Sequence, residues 1–150
     1  MLEAIGFAVI LSAWVAAAVM FAEDVQQAAG VVITTTAETI VATGKMLPVT
    51  TATGKAVIRG WVQLTVGTGT TAVTLAIYRG TAIVAGNLVA AKQAMAGSFA
   101  AGSTAPFELN LVDPLANVSD AQYCLSVTQT GAGGNGTAVQ AMIDTKILSG

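Results

Sequence analysis

The stretch AVIRGWVQLTVGTGTTAVTLAIYRG, Ala56 to Gly80, decides how the rest of the chain reads. Ile58, Val62, Leu64 and Val66 fall on one side of an extended chain, and Arg59, Trp61, Gln63 and Thr65 on the other. That period of two marks a half-buried strand, because a helix would need apolar residues at three- and four-residue spacing. Gly67, Thr68, Gly69 and Thr70 then read as a turn, after which Val73, Leu75 and Ile77 alternate with Thr74, Ala76 and Tyr78. Two alternating runs across a short Gly-Thr turn predict a β-hairpin.

The same texture extends both ways. Val31, Ile33 and Thr35 alternate with Val32, Thr34 and Thr36, Ile40 and Val41 form a second short run, and Pro48 with Thr50 to Gly54 reads as a loop. Downstream, Ile83, Val84, Leu88 and Val89 suggest a strand broken near Gly86 and Asn87, and Met95 with Phe99 an irregular one. Phe107, Leu109 and Leu111 alternate with Glu108, Asn110 and Val112, and Tyr123, Leu125 and Val127 with Cys124, Ser126 and Thr128. The run GAGGNG, Gly131 to Gly136, reads as a flexible hairpin turn into a last strand with Val139, Ala141, Ile143 and Ile147 inward. About eight strands with turn signals every eight to twelve residues predict a mainly β fold, a single β-sandwich or jelly roll over residues 31–150.

The first thirty residues differ. From Ala4 to Ala22 there is no charge, and only Gly6 and Ser12 interrupt the apolar run. As a helix it would be apolar on every face and about 28 Å long, close to the hydrocarbon thickness of a bilayer. The spacing predicts one long helix over residues 1–30, running on through Glu23, Asp24 and Gln27 to a cap at Gly30. Ala4, Ala8, Ser12 and Ala16 recur every four residues, the spacing at which small side chains let a second helix approach, so the segment is expected to associate with helices, with lipid, or with both. A cleaved secretory signal fits poorly, because Glu3 and no Lys or Arg occupies the leading region and Met20 stands where a small residue is needed.

Composition narrows the function. The chain of 150 residues is 54% hydrophobic and only 9% charged, against roughly 25% charged in ordinary soluble domains, so its surface must rely on Thr, Ser and Gly or be covered by neighbours. No basic patch is present, so nucleic acid is not an expected partner. His is absent and Cys124 is the single cysteine, which removes the common metal sites, the His-dependent nucleophile pairs and any intrachain disulfide. Cys124 reads as a small buried hydrophobe. The glycine run lacks the following helix that a phosphate loop needs. Asp113, Asp120 and Asp144 are scattered, Asp113 before Pro114 reads as turn chemistry, and a calcium site in the Asp113 to Asp120 loop is a minor alternative. Trp61 and Tyr78 are candidate surface or interface aromatics. No catalytic, cofactor or metal residue is nominated, and the chain is not expected to be an enzyme.

The stretches Ala56 to Gly80 and AQYCLSVTQTGAGGNGTAVQAMI, Ala121 to Ile143, resemble jelly-roll virion proteins of bacterial and archaeal viruses. The resemblance implies a capsid, vertex or decoration subunit, forming homo-oligomers and meeting other virion subunits. With residues 4–22 as a membrane anchor it implies a membrane-associated place in the virion, above an internal lipid layer. A second resemblance is to type IV pilins, in which a long apolar N-terminal helix precedes a β-rich head and packs in the core of an extracellular filament. Here Glu3 is third where bacterial pilins usually carry a glutamate fifth, and no basic leader precedes it. A membrane-anchored binding module is the third reading.

Overall fold

The described residues form nine strands in two antiparallel sheets. The computed structural model describes residues 23–35, 37–45, 54–97, 99–113 and 122–149. The strands are β1 (Glu23–Ala28), β2 (Val31–Ile33), β3 (Thr39–Lys45), β4 (Gly54–Thr65), β5 (Ala72–Arg79), β6 (Gln93–Ala96), β7 (Thr104–Asp113), β8 (Gln122–Thr130) and β9 (Gly136–Ser149). Sheet A has the order β1-β9-β4-β7, with β2 also on β9, and sheet B the order β3-β8-β5-β6. The chain changes sheet at every connection except β1–β2 and β5–β6, and this interleaving is jelly-roll connectivity.

The hairpin expected from Ala56 to Gly80 does not form. β4 pairs with β7 and β9, while β5 pairs with β6 and β8. Its two inward faces are nevertheless as the alternation requires: Ile58, Val62, Leu64, Val73, Leu75 and Ile77 are all buried. Period two fixes which side of a strand is apolar and says nothing about its neighbour, so a turn inside one sheet and a corner between two sheets look alike in sequence. The corner is closed by buried Gln129. Its side chain accepts from the Gly67 amide at 2.7 Å and from Thr70 Oγ1 at 3.2 Å, and donates to the Ile33 carbonyl at 3.3 Å. The Gly131–Gly136 run is a second corner, between β8 in sheet B and β9 in sheet A, and lies backbone to backbone on the first. The Gly133 amide donates to the Thr68 carbonyl at 2.6 Å.

The helix expected to reach Gly30 is also corrected. Glu23–Ala28 is a strand, antiparallel to β9 from Glu23↔Lys146 to Ala28↔Ala141. β9 extends well beyond β2, and its outer row of amides and carbonyls would be left unpaired without these six residues. Gly30, with φ +73°, bends the chain between β1 and β2 instead of capping a helix. The described β-structure thus begins at Glu23. Ala4, Ala8, Ser12 and Ala16 lie outside the described residues, and among the described residues no helix is long and apolar enough to cross a membrane.

Two smaller expectations fail for local reasons. Val139 is exposed, because a β-bulge opposite Gln63 and Leu64 shifts the register and turns Ala138 and Ala141 inward on either side of it. Ile83 to Val89 is not a strand: Ala85–Asn87 forms a 3-10 turn, and only Leu88 bridges to Tyr78. Phe99 packs edge-on against Phe107, with centroids 5.6 Å apart. Thr145 points into the core of sheet A, fully buried, and its hydroxyl has no hydrogen-bond partner among the described residues. Thr145→Val is expected to stabilise the fold by about 1 kcal/mol, seen as a higher urea midpoint, because it removes an uncompensated polar burial.

Candidate assembly surface

The outer faces of the two sheets differ in what they leave open. On sheet A, register places Trp61 of β4 between Met142 of β9 and Glu108 of β7, and Arg59 between Asp144 and Asn110. Arg59 forms a two-pronged pair with Glu108, Nε to Oε1 at 3.1 Å and Nη2 to Oε2 at 3.0 Å, and Asn110 donates to the same carboxylate at 2.7 Å. The hydrogen bonds from Arg59 and Asn110 hold the Glu108 carboxyl below its ordinary value. The side chains of the pair are 45% and 41% exposed, so it orients the surface and contributes little to stability. Val57 lies directly opposite exposed Val112, and Val139 and Val32 add exposed aliphatic area at the other edge of the sheet. An aromatic, a methionine, an arginine and scattered valines on one sheet face resemble the core of a protein interface more than an ordinary solvated face.

Sheet B is covered. Ala76, Tyr78, Cys124 and Ser126 project away from the core between the sheets yet are buried, because Leu88 and Ile40 pack on the first three and the Glu38 side chain on Tyr78 and Ser126. The Val89 amide donates to the Ile77 carbonyl at 3.0 Å, and Leu88 packs on the cluster of Ala76, Tyr78 and Cys124. Beneath this segment Glu38 accepts from Tyr78 Oη at 3.0 and 3.1 Å and from Ser126 Oγ at 2.6 Å, and pairs with Lys92 Nζ at 2.5 Å. A serine beside a carboxylate has the distance of a nucleophile and its base. Ser126 is fully buried, however, and Glu38 sits below its ordinary carboxyl value, far from the near-neutral range of an effective general base.

Trp61 and Tyr78 are therefore not companions on one surface. They lie on different sheets, and Tyr78 is only 1% exposed. Trp61 alone remains a surface aromatic. Cys124 is buried as expected, and burial pushes its thiol up, away from the reactive thiolate.

Asp113 is not ordinary turn chemistry. It ends β7 fully buried, accepting from Arg79 Nε and Nη2 at 2.7 Å each and from the Tyr123 hydroxyl at 3.0 Å. The three residues join sheet A to both central strands of sheet B at one end of the sandwich. Burial, and after it the Asp113 charge, push the Tyr123 phenol well above its ordinary value. This commitment leaves Asp113 poorly placed for calcium; the rest of that loop, 114–120, lies outside the described residues. Among the described residues no three acidic or cysteine side chains are gathered as metal ligands would be.

No model of a known protein family matches the chain, and no curated protein sequence matches it. Solved structures do. T=1 particles derived from infectious bursal virus share the fold with a TM-score of 0.52 at 14% identity, over 82% of this chain and 31% of the particle protein. This chain thus spans about a third of that protein's length. Eiger TNF from S. frugiperda overlaps at a TM-score of 0.47 and 12% identity, over 86% and 93% of the two chains. Vertex protein P5 of PRD1 overlaps at 0.44 and 11%, over 86% and 97%.

Proposed function

We propose that this chain is a structural subunit of a virion, packed laterally through its jelly roll and held to an internal viral membrane by Ala4 to Ala22. The observation that carries the reading is the strand order, β1-β9-β4-β7 over β3-β8-β5-β6, the connectivity of jelly-roll capsid domains. Fold alone does not set function. The uncovered face around Trp61, the sparse charge and the long uncharged N-terminal run add support, since each suits a subunit that buries its surface against neighbours. Many weak copies of one contact, closed into a ring or shell, make a stable assembly.

Electron microscopy of the purified full chain tests this. Closed rings or shells are expected; monodisperse single copies would overturn the reading, and long fibres would replace it with the filament subunit. Trp61→Asp is expected to weaken each lateral contact about tenfold or more while leaving the circular dichroism spectrum unchanged. Flotation of the same full chain with liposomes tests the anchor: it should rise with the lipid, and recovery in the dense fraction would remove the membrane from the proposal.

A further inference from the structure

The segment between β5 and β6 is held to the sheet at few points. From Thr81 to Asn87 every residue is exposed, including Ile83 and Val84, and the 3-10 turn buries nothing. Its backbone meets the sheet at three points. The Gly80 amide donates to the Gln122 carbonyl at 2.6 Å, Leu88 bridges to Tyr78, and the Val89 amide donates to Ile77. A segment with so few ladder bonds and so little buried surface belongs to the least stable part of a fold. Its far end is fixed by charge: Lys92 crosses the outer face of sheet B, passes 5.7 Å from the centre of the Tyr78 ring, and reaches Glu38 on the opposite edge.

We propose that residues 80–92 form an acid-released strap, latched across sheet B by the Glu38 carboxylate, and that protonation of Glu38 frees it and uncovers the patch of Ala76, Tyr78 and Cys124. Glu38 is where the restraints meet. It takes Lys92 from the strap, Tyr78 from β5 and Ser126 from β8, so three elements depend on one carboxylate. Among the described residues these, with the Cys124 thiol on β8, are the titratable or polar groups that face it; the sequence from Ile33 to Thr43 carries no other charge.

The direction follows from the same contacts. Burial raises the Glu38 carboxyl, but the bonds from Lys92, Ser126 and Tyr78 together outweigh it, and the group sits below its ordinary value of 4.5. A carboxyl depressed by folding contributes stability above the ordinary value and loses it as pH falls through the folded one. The strap is therefore latched at neutral pH and released only in acid, below the ordinary carboxyl range. Protonated Glu38 no longer attracts Lys92 and has one oxygen fewer to accept from Tyr78 and Ser126.

The single cysteine is a built-in reporter, since Leu88 of the strap packs on the cluster that buries it. The full chain is treated with an aromatic disulfide that reacts with thiols in acid as well as at neutral pH. At pH 7 the native protein should label slowly, and Glu38→Gln and Lys92→Met should each label at least about tenfold faster, with their circular dichroism intact. Lys92 is a surface side chain, so the second variant keeps the test decisive if Glu38→Gln does not fold. Hydrogen exchange should show Leu88 and Val89 opening in these variants while β4 and β9 stay protected. Unchanged labelling in both variants overturns the strap, and so does labelling that rises only together with exchange in β4 and β9. Acid acceleration that survives in Glu38→Gln overturns the assignment of the latch to Glu38.

Discussion

Asp113→Ala is expected to lower the stability of the fold by about 3–5 kcal/mol. The carboxylate is fully buried, whereas the Arg79 side chain is 28% exposed, so the loss falls mainly on the interior. Removing the carboxylate takes away both guanidinium bonds and the acceptor of the Tyr123 hydroxyl at once, and strands a buried phenol donor. Tyr123→Phe keeps the ion pair and loses one hydrogen bond, and should cost only about 1 kcal/mol. Urea midpoints of the two variants, at unchanged slope, measure the difference. Equal costs would mean that Asp113 acts through Tyr123 alone, and that the Arg79 pair contributes nothing to joining the sheets.

Gly67→Ala is expected to cost more than about 3 kcal/mol, although it adds a single methyl group. A Cβ at this position would lie 1.9 Å from the Gly134 carbonyl oxygen and 2.8 Å from its carbon, and both are backbone atoms that cannot swing aside. Relieving the clash means separating the two corners, and that strains the amide bond to Gln129 as well as the bond from Gly133 to Thr68. Gly86→Ala is the control. A Cβ there meets nothing within 4 Å, and the change should stay within about 0.5 kcal/mol. A small effect at Gly67 would show that the corners are not in contact.

The two predictions mark where sequence reading ends. The inward faces of β4, β5, β7 and β8 are legible, because alternation depends on each strand's own residues, and Ile58, Leu64, Leu75, Leu109 and Leu125 are all buried where expected. Strand partners are not. The run EDVQQA is polar and carries no strand pattern; it is extended because β9 offers it an unpaired edge, a fact that exists only after folding. Val139 is misread for the same reason, since its bulge is set by the register against β4. Polar pairs fare worst. Lys92 and Glu38 stand 54 positions apart and Arg79 and Asp113 34 apart, and no local spacing reveals a contact made across a sheet or between two. Trp61 is legible as an outward residue, but Tyr78 on the same reading is hidden under Leu88, Ile40 and Glu38, contacts that no local pattern shows.

β9 also sets a timetable. It is the partner of β1, of β2 and of one whole side of β4, so three strands that precede it in the chain wait for it. Until residues 136–149 emerge, the described strands of sheet A can form only the β4–β7 pair, and its β4 edge stays open. Contacts between the two ends of a chain are the slowest to form and leave unpaired edges exposed to other chains in the meantime. Each chain therefore carries open strand edges, available to other chains, in the interval before β9 is in place.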